Sequence, residues 1–315
     1  MGLRTLVIVN PKSANGGTGR RWPEIKAALD RVLERWDPAF TEGPRDATRL
    51  ARQAVRDGYE ALVAVGGDGT MSELVAGLFE DDAEAGITDR LIRKDVVVSP
   101  VRAGTGGDFA RLLGLPHKLP EMVAHLASGT PRLCDLGLLE YTRHDGRTAR
   151  TAFLNIASFG LSGLVDEKVN ASSKALGGTA SFMLGLGKAL LAYRPVHVEI
   201  RVDGEDFYSG ELLTCAVANG QYFGGGMRFA PNAAVDDGLF DVVAQVSAGL
   251  REYVGIRDLY TGRMIDWPSV RHTRGRLVEA RSTRDERVLL DVDGEAIGML
   301  PAASRILPDA VRLLA

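Results

Sequence analysis

Cysteine is nearly absent from this chain, with Cys134 and Cys215 the only two in 315 residues. Two isolated thiols cannot build a four-ligand zinc site without histidines, and the five histidines show no ligand spacing. Aromatic residues make up 6%, and Trp22, Trp36 and Trp267 are too scattered to form a base-stacking platform. Neither sign of charge dominates. A formal net charge of −3 argues against a nucleic-acid binder held by charge. No stretch is a good membrane span. No basic-plus-apolar leader opens the chain, because Met1-Gly2-Leu3-Arg4 runs straight into a strand pattern. Gly2 is not followed by Ser or Thr at position six, so myristoylation has no support. The expectations are a cytoplasmic location, no transmembrane segment and no nucleic acid among the partners.

What is present is an ordinary globular composition, 45% apolar and 25% charged, long enough for two domains. The most informative stretch is Ala61-Leu62-Val63-Ala64-Val65-Gly66-Gly67-Asp68-Gly69-Thr70. An apolar run of strand length stops at glycines, and a helical apolar pattern resumes at Leu74. Glycine lets the backbone turn and approach a ligand closely, and the free N–H groups of a helix start hold anions. The spacing matches neither GxxxxGK[ST] nor GxGxxG. A carboxylate at Asp68 repels bare phosphate and makes sense with a hydrated Mg²⁺ between them. A structural Asp in a glycine-rich turn is the plainer alternative.

Around this stretch the first half predicts alternating strands and helices. Leu6–Val9 reads as a strand, then a glycine-rich loop over Asn10–Gly19, with helices expected from about Pro23 and from Pro44-Arg45-Asp46. A helix is expected over Ser72–Phe79. Acidic Glu80–Glu84 reads as a solvated loop. Val96–Val98 reads as a strand, followed by a second glycine-rich turn over Pro100–Phe109 and helices near Phe109–Leu113 and Leu119–Leu126. Such alternation implies a mostly parallel sheet with its ligand at the carboxyl ends of the strands. The character changes near Pro131. Short strands are then expected at Cys134–Leu139, Thr151–Ile156, Val196–Val202, Leu212–Val217, Leu239–Val246, Gly275–Ala280 and Val288–Val292. Helix is expected only near Lys174–Tyr193 and Leu250–Thr261. The fold class read from this is an α/β domain over 1–130, nucleotide-binding by the resemblance given below, then a mainly antiparallel, β-sandwich-like domain over 131–315. The tail, strand or helix turn, is free to pack back on the first domain.

Two acidic turns stand in the second half: Asp236-Asp237-Gly238-Leu239 and Asp291-Val292-Asp293-Gly294-Glu295. Clustered carboxylates raise one another's proton affinity and can leave one as a base. An Asp-Gly hairpin is also common without any function.

Taken together, Asn10-Pro11-Lys12-Ser13, Gly66–Thr70 with Glu73, Gly104-Thr105 with Asp108-Phe109, Asp236–Leu239 and Asp293–Glu295 occur in the order of the diacylglycerol kinase catalytic-domain family. The chain resembles that family from Leu6 to about Glu295, and within it the soluble bacterial lipid kinases, with sphingosine and ceramide kinases as relatives. NAD kinases and phosphofructokinases are more distant cousins sharing the GGDG turn. The resemblance implies ATP in a cleft between an α/β domain and a β-rich lipid domain, with γ-phosphoryl transfer to a lipid hydroxyl. Diacylglycerol or a sphingoid or ceramide-like lipid, presented at the inner membrane face, would be the acceptor. A homodimer stays open as an assembly state.

By the same resemblance, Asn10, Ser13, Thr41, Gly66, Gly67, Asp68, Gly69, Thr70, Glu73, Gly104 and Thr105 would surround the nucleotide. Asp68 would hold the catalytic Mg²⁺. Asp237 with the backbone carbonyls of Ala234 and Leu239 would hold a second, structural Mg²⁺. Glu295 or Asp293 would be the general base, with Glu295 the first choice. Two positions depart from the family pattern. Gly107 stands where an asparagine is usual, and Asn15 where some relatives carry lysine, so Lys12, Arg20 or Arg102 would have to supply the positive charge. Ala175–Gly187 is uncharged, and Phe182, Met183, Leu184, Leu186, Leu190 and Leu191 cluster there. A buried helix, an acyl-pocket wall and an interfacial helix all fit it. Six arginines between Arg271 and Arg287 read as a solvated face or as an attraction for anionic headgroups. The rival functions are a kinase for a small soluble acceptor such as a nicotinamide nucleotide, and a non-catalytic nucleotide- or lipid-binding regulator.

Overall fold

Every residue of β1 (Thr5–Val9) is buried, as expected for a parallel strand covered on both faces. The structure, a computed structural model, describes residues 2–103, 107–163, 193–246 and 256–314. Contacts divide the chain into one unit of Met1–Asp135 with Asp309–Ala315, and a second of Leu136–Pro308.

In the first unit β1 is followed by α1 (Gly17–Leu29), β2 (Trp36–Phe40), α2 (Asp46–Arg56), β3 (Ala61–Gly66) and α3 (Asp68–Ala76). Next come β4 (Phe79–Asp82), β5 (Gly86–Leu91), β6 (Val97–Arg102), α4 (Asp108–Leu112) and α5 (Leu119–Ser128). The parallel sheet has the order β2-β1-β3-β6. Val7, Val63, Val65 and Val101 pack against Ile25 and Leu29 of α1 and Met122 and Leu126 of α5. Helix α2 buries Ala47, Ala51, Ala54 and Val55 at helical spacing.

Three local expectations change here, and one strand, β2, went unread. Helix α1 starts at Gly17 and contains Pro23, because Ala14, Asn15 and Gly16 all take positive φ and turn the chain earlier. Strand β2 has no clear signal because of Pro38. It is tolerated because β2 is an edge strand, paired with β1 alone. The acidic stretch from Glu80 is a hairpin, not a loop. Phe79 and Ile87 are its buried anchors, and Arg56 pairs with Glu80 and Asp81. Strand β6 continues through Pro100 to Arg102, in register with β3.

The chain continues through β7 (Pro131–Thr142), β8 (Thr148–Phe153), β9 (Ile156–Gly160), β10 (Val196–Val202), β11 (Glu205–Leu212) and β12 (Thr214–Ala218). The two-residue β13 (Tyr222–Phe223) and β14 (Met227–Arg228) precede β15 (Phe240–Gln245) and α6 (Ile256–Thr261). A 3-10 turn (Arg263–Asp266) leads to β16 (Val270–Gly275), β17 (Leu277–Ser282), β18 (Leu289–Val292) and β19 (Glu295–Leu314). The second unit is antiparallel, in the order β16-β15-β12-β9-β18-β19, with β17, β10 and β11 following from β19. Strand β10 shows the alternation such a sheet needs: Val198, Ile200 and Val202 point into the core, and Arg201 points out. Phe153 and Phe240 stack within that core at 5.6 Å.

Elements unread in this half are β11, β13, β14, β16 and most of β19, and the expected strand Thr151–Ile156 spans the break between β8, which ends at Phe153, and β9, which starts at Ile156. The expected strand Leu212–Val217 is a junction, with β11 ending at Leu212 and β12 starting at Thr214. The tail is strand, and Arg312 and Leu313 pair with Val97 and Val98 of β6. The apolar stretch at Ala175–Gly187 and the cluster Phe182–Leu191 lie outside the described residues. So do most of the helix expected at Lys174–Tyr193 and the first part of that at Leu250–Thr261. Among the described residues no helix is long and apolar enough to cross a membrane.

Candidate active site

In the first unit the carboxyl ends of β1, β2 and β3 bring Asn10, Thr41 and Gly66 to one edge of the sheet. The Asn10 side-chain amide donates to Thr70 Oγ1 at 3.2 Å, and its Oδ1 accepts the Lys12 N–H at 3.1 Å. Ser13 Oγ donates to the Asn10 carbonyl at 2.9 Å and lies 2.5 Å from Thr18 Oγ1, fixing the first loop against the start of α1. Thr41 is buried, and its N–H reaches the Val9 carbonyl.

The two glycines differ in what they do. A Cβ at Gly66 would lie 2.4 Å from Thr70 Oγ1, so internal packing alone excludes a side chain there. At Gly67 a Cβ would meet nothing within 4 Å, and the φ of −105° is open to any residue. Nothing inside the described fold requires glycine at 67. It leaves open the approach to the α3 N-terminus, which has no side-chain cap. That is the geometry for an anion on backbone N–H groups.

Asp68 ties this turn to the next one. Its Oδ2 accepts the N–H groups of Gly107 at 2.7 Å and Asp108 at 3.0 Å, at the head of α4. Among the described residues Oδ1 takes no hydrogen bond, so the carboxylate is held by one oxygen and offers the other. That arrangement fits a hydrated Mg²⁺. Gly104 and Thr105 lie outside the described residues. Glu73 is engaged by the start of α2. Its oxygens accept the N–H groups of Arg45 at 2.8 Å and Ala47 at 3.1 Å, capping α2. Burial holds its carboxyl above the usual range, partly countered by these two donors. Glu73 therefore positions α2.

In the second unit Asp293 and Gly294 form a two-residue hairpin loop between β18 and β19, with φ of 50° and 90°. Asp293 is anchored: Oδ1 accepts the N–H of Asn155 at 3.1 Å and Ile156 at 3.0 Å, and Oδ2 that of Leu154 at 3.2 Å. Asp291 is buried, and Ser158 Oγ donates to it at 3.3 Å. Glu295 is the exposed member of the three. Two buried amides escaped the sequence reading. Asn155 donates to the Tyr222 carbonyl at 2.6 Å and Asn219 to the Leu154 carbonyl at 2.7 Å, fastening the segment that holds Asp293. An asparagine inside the apolar run Phe153-Leu154-Asn155-Ile156 was the available signal.

The turn at Asp237 is occupied differently from the expectation. Asp237 Oδ2 pairs with the Arg274 guanidinium, which also bonds Asp241 at 3.1 Å, while Oδ1 accepts the Leu239 N–H at 3.1 Å. Burial raises the Asp241 carboxyl, with the Arg274 charge opposing it. An arginine thus sits where the expected ion, with the carbonyls of Ala234 and Leu239, would need Asp237. We expect Asp237→Ala to cost roughly 1 kcal/mol, as for a partly exposed pair. Chelator should leave the wild-type melting curve unchanged. A chelator-sensitive melt would return an ion to this turn.

Comparison with known proteins gives the chain's family. Residues 4–139 match the diacylglycerol kinase catalytic domain model, and residues 155–315 match the YegS C-terminal NAD kinase beta sandwich-like domain. A diacylglycerol kinase of Bacillus subtilis (strain 168) is 30% identical over 308 residues, covering 95% of this chain and 91% of that protein. A protein of Chromohalobacter salexigens named "Probable lipid kinase YegS-like" is 32% identical over 260 residues, 81% of this chain and 73% of its own. The crystal structure of a diacylglycerol kinase from Bacillus anthracis str. Sterne superposes with a TM-score of 0.68 at 21% identity, covering 99% and 96% of the two chains. Yeast NADH kinase complexed with NADH gives 0.52 at 11% identity, covering 99% and 83%. The last two bear on the fold alone, and the fold is of this diacylglycerol kinase and NAD kinase-like type.

Proposed function

The chain belongs to the diacylglycerol kinase catalytic-domain family, and from that premise we propose that it transfers the γ-phosphoryl group of ATP to a lipid hydroxyl. The acceptor is diacylglycerol or a sphingoid or ceramide-like lipid, met at a membrane surface. The observation that supports this most is the pairing of an open Gly67, at an uncapped helix start, with Asp68, which keeps one carboxylate oxygen available. Backbone N–H groups at that helix start bind the phosphate oxygens, with Asn10, Ser13 and Thr70 shaping the turn. Mg²⁺, held by Asp68 when bound, neutralises charge on the phosphates. Gly104 and Thr105 belong to the same nucleotide site in this reading.

Glu295 accepts the proton of the acceptor hydroxyl, and Asp293 fixes the turn that presents it. A carboxylate is a weak base for an alcohol. Much of the barrier is therefore met by in-line positioning and by charge neutralisation on the phosphates. The test is transfer of labelled γ-phosphate from ATP into a total lipid extract, with the product then identified. A labelled phospholipid that forms only with Mg²⁺ supports the reading. Label confined to inorganic phosphate, or to a soluble acceptor such as a nicotinamide nucleotide, removes the lipid acceptor.

A further inference from the structure

Sequence spacing leaves Trp22 and Trp36 apart, but the fold gathers them with Phe40 into one array of rings at the β2 edge of the parallel sheet. Trp22 of α1 meets Trp36, the first residue of β2, at 6.3 Å between ring centroids, and Phe40, the last, at 5.3 Å. The interplanar angles are 74° and 82°, the edge-on geometry that aromatic quadrupoles favour. One end of the array is covered. Lys26 holds its ammonium 5.4 Å from the Trp36 ring centre, and both tryptophans pack against the core of the first unit. At the other end Phe40 keeps 44% of its surface exposed, the most of any large apolar side chain among the described residues. One aromatic ring is thus braced from behind and open to solvent.

The register of the sheet places that ring relative to the glycine turn. Phe40 lies opposite Val9 of β1, and Val9 lies opposite Val65 of β3, the residue before Gly66. Two strand spacings, roughly 10 Å, therefore separate Phe40 from the head of the turn. With phosphates on the N–H groups at the start of α3, a ribose and the phosphate next to it bridge such a gap. Asn10 and Thr41, the residues after Val9 and Phe40, line the same edge with neutral polar groups. The backbone beside the ring is already engaged. The Thr41 N–H donates to the Val9 carbonyl at 2.9 Å, the Glu42 N–H to Asp46 at 2.9 Å, and the Glu42 carbonyl accepts Lys12 Nζ at 2.8 Å. What this strand end offers a ligand is the ring itself. Strand addition by another chain is disfavoured, because Pro38 withholds an N–H from the β2 edge. A flat aromatic group is the occupant that fits.

We propose that Phe40, braced by Trp22, is the platform on which the base of the nucleotide stacks. The inference rests on the kinase reading and extends it from the phosphates to the base.

The test is equilibrium binding of ATP and of inorganic tripolyphosphate to the full chain, with a thermal melt alongside. Phe40→Ala should weaken ATP by about fivefold or more, the loss of one base–aromatic stack. Tripolyphosphate, which has no base, should bind this variant as it binds wild type. Phe40→Trp keeps a stacking face and should hold ATP near the wild-type level. Phe40→Leu, apolar without a π-face, should fall towards Phe40→Ala. The side chain is at the surface, so melting should shift little in all three. Unchanged ATP affinity in Phe40→Ala overturns the proposal. Equal losses for ATP and tripolyphosphate overturn it too, because the ring then supports the phosphate turn and not the base. Wild-type protein that binds neither ATP nor tripolyphosphate would instead bring down the kinase reading itself, and this inference with it.

Discussion

Asp68→Asn should lower Mg²⁺-dependent phosphoryl transfer by about 10²–10³-fold or more, the scale of removing one preorganised charge-stabilising group. The geometry explains why so conservative a change is severe. The carboxylate accepts two N–H groups, from Gly107 and Asp108, with one oxygen and keeps the other available. An amide has a single acceptor oxygen. If that oxygen keeps the two N–H groups, an NH₂ group faces the cation. If it faces the cation, an NH₂ group points at two donors and the head of α4 loosens. Either way one requirement fails. Turnover at saturating Mg²⁺, together with a thermal melt, checks this. A well-folded Asp68→Asn protein with near wild-type turnover removes Asp68 from the mechanism.

Glu295→Gln should depress single-turnover transfer at saturating ATP and lipid by about 10²–10⁴-fold, the usual contribution of a positioned base. ATP affinity should hardly change. The expected contrast is with Asp293→Asn. Asp293 accepts backbone N–H groups of Leu154, Asn155 and Ile156, so an amide there turns a donor against donors. That should cost about 1–3 kcal/mol of stability, the penalty for an unmet buried partner. Its transfer rate, once corrected for folded fraction, should fall less than that of Glu295→Gln. The assignment reverses if Glu295→Gln transfers at the wild-type rate while Asp293→Asn does not. Full rates in both would leave Asp293-Gly294 as a hairpin turn and nothing more.

Why some of this was legible in the chain and some was not follows from range. The glycine turn after β3 could be read because strand period, glycine spacing and helix resumption all fall within a few residues. Strand β10 could be read to its ends, since Val196–Val202 alternates without interruption. Strand β2 could not, because Pro38 speaks against a strand and only its edge position permits it. Partner choice among carboxylates was out of reach for a different reason. Glu73 binds N–H groups at Arg45 and Ala47, and Asp293 binds those of residues 154–156, across separations that no local pattern records. Asp237 illustrates the same limit. It has the composition of an ion-binding turn, and only the fold brings Arg274 to it from β16.

Strand β19 begins at Glu295, in the hairpin that carries the expected base, and its far end pairs Arg312 and Leu313 with Val97 and Val98 of β6. On the ribosome this imposes an order. Residues up to Asp135 emerge with the outer edge of β6 lacking its last partner, and that partner, at Arg312 and Leu313, follows the whole of Leu136–Pro308 in the chain. Until then β6 presents open N–H and C=O groups of the kind that invite pairing with another chain. The first unit is therefore finished only after the whole of the other unit has been synthesised. A gene fragment ending near Asp135 would encode an unguarded sheet edge and should aggregate where the full chain stays dispersed.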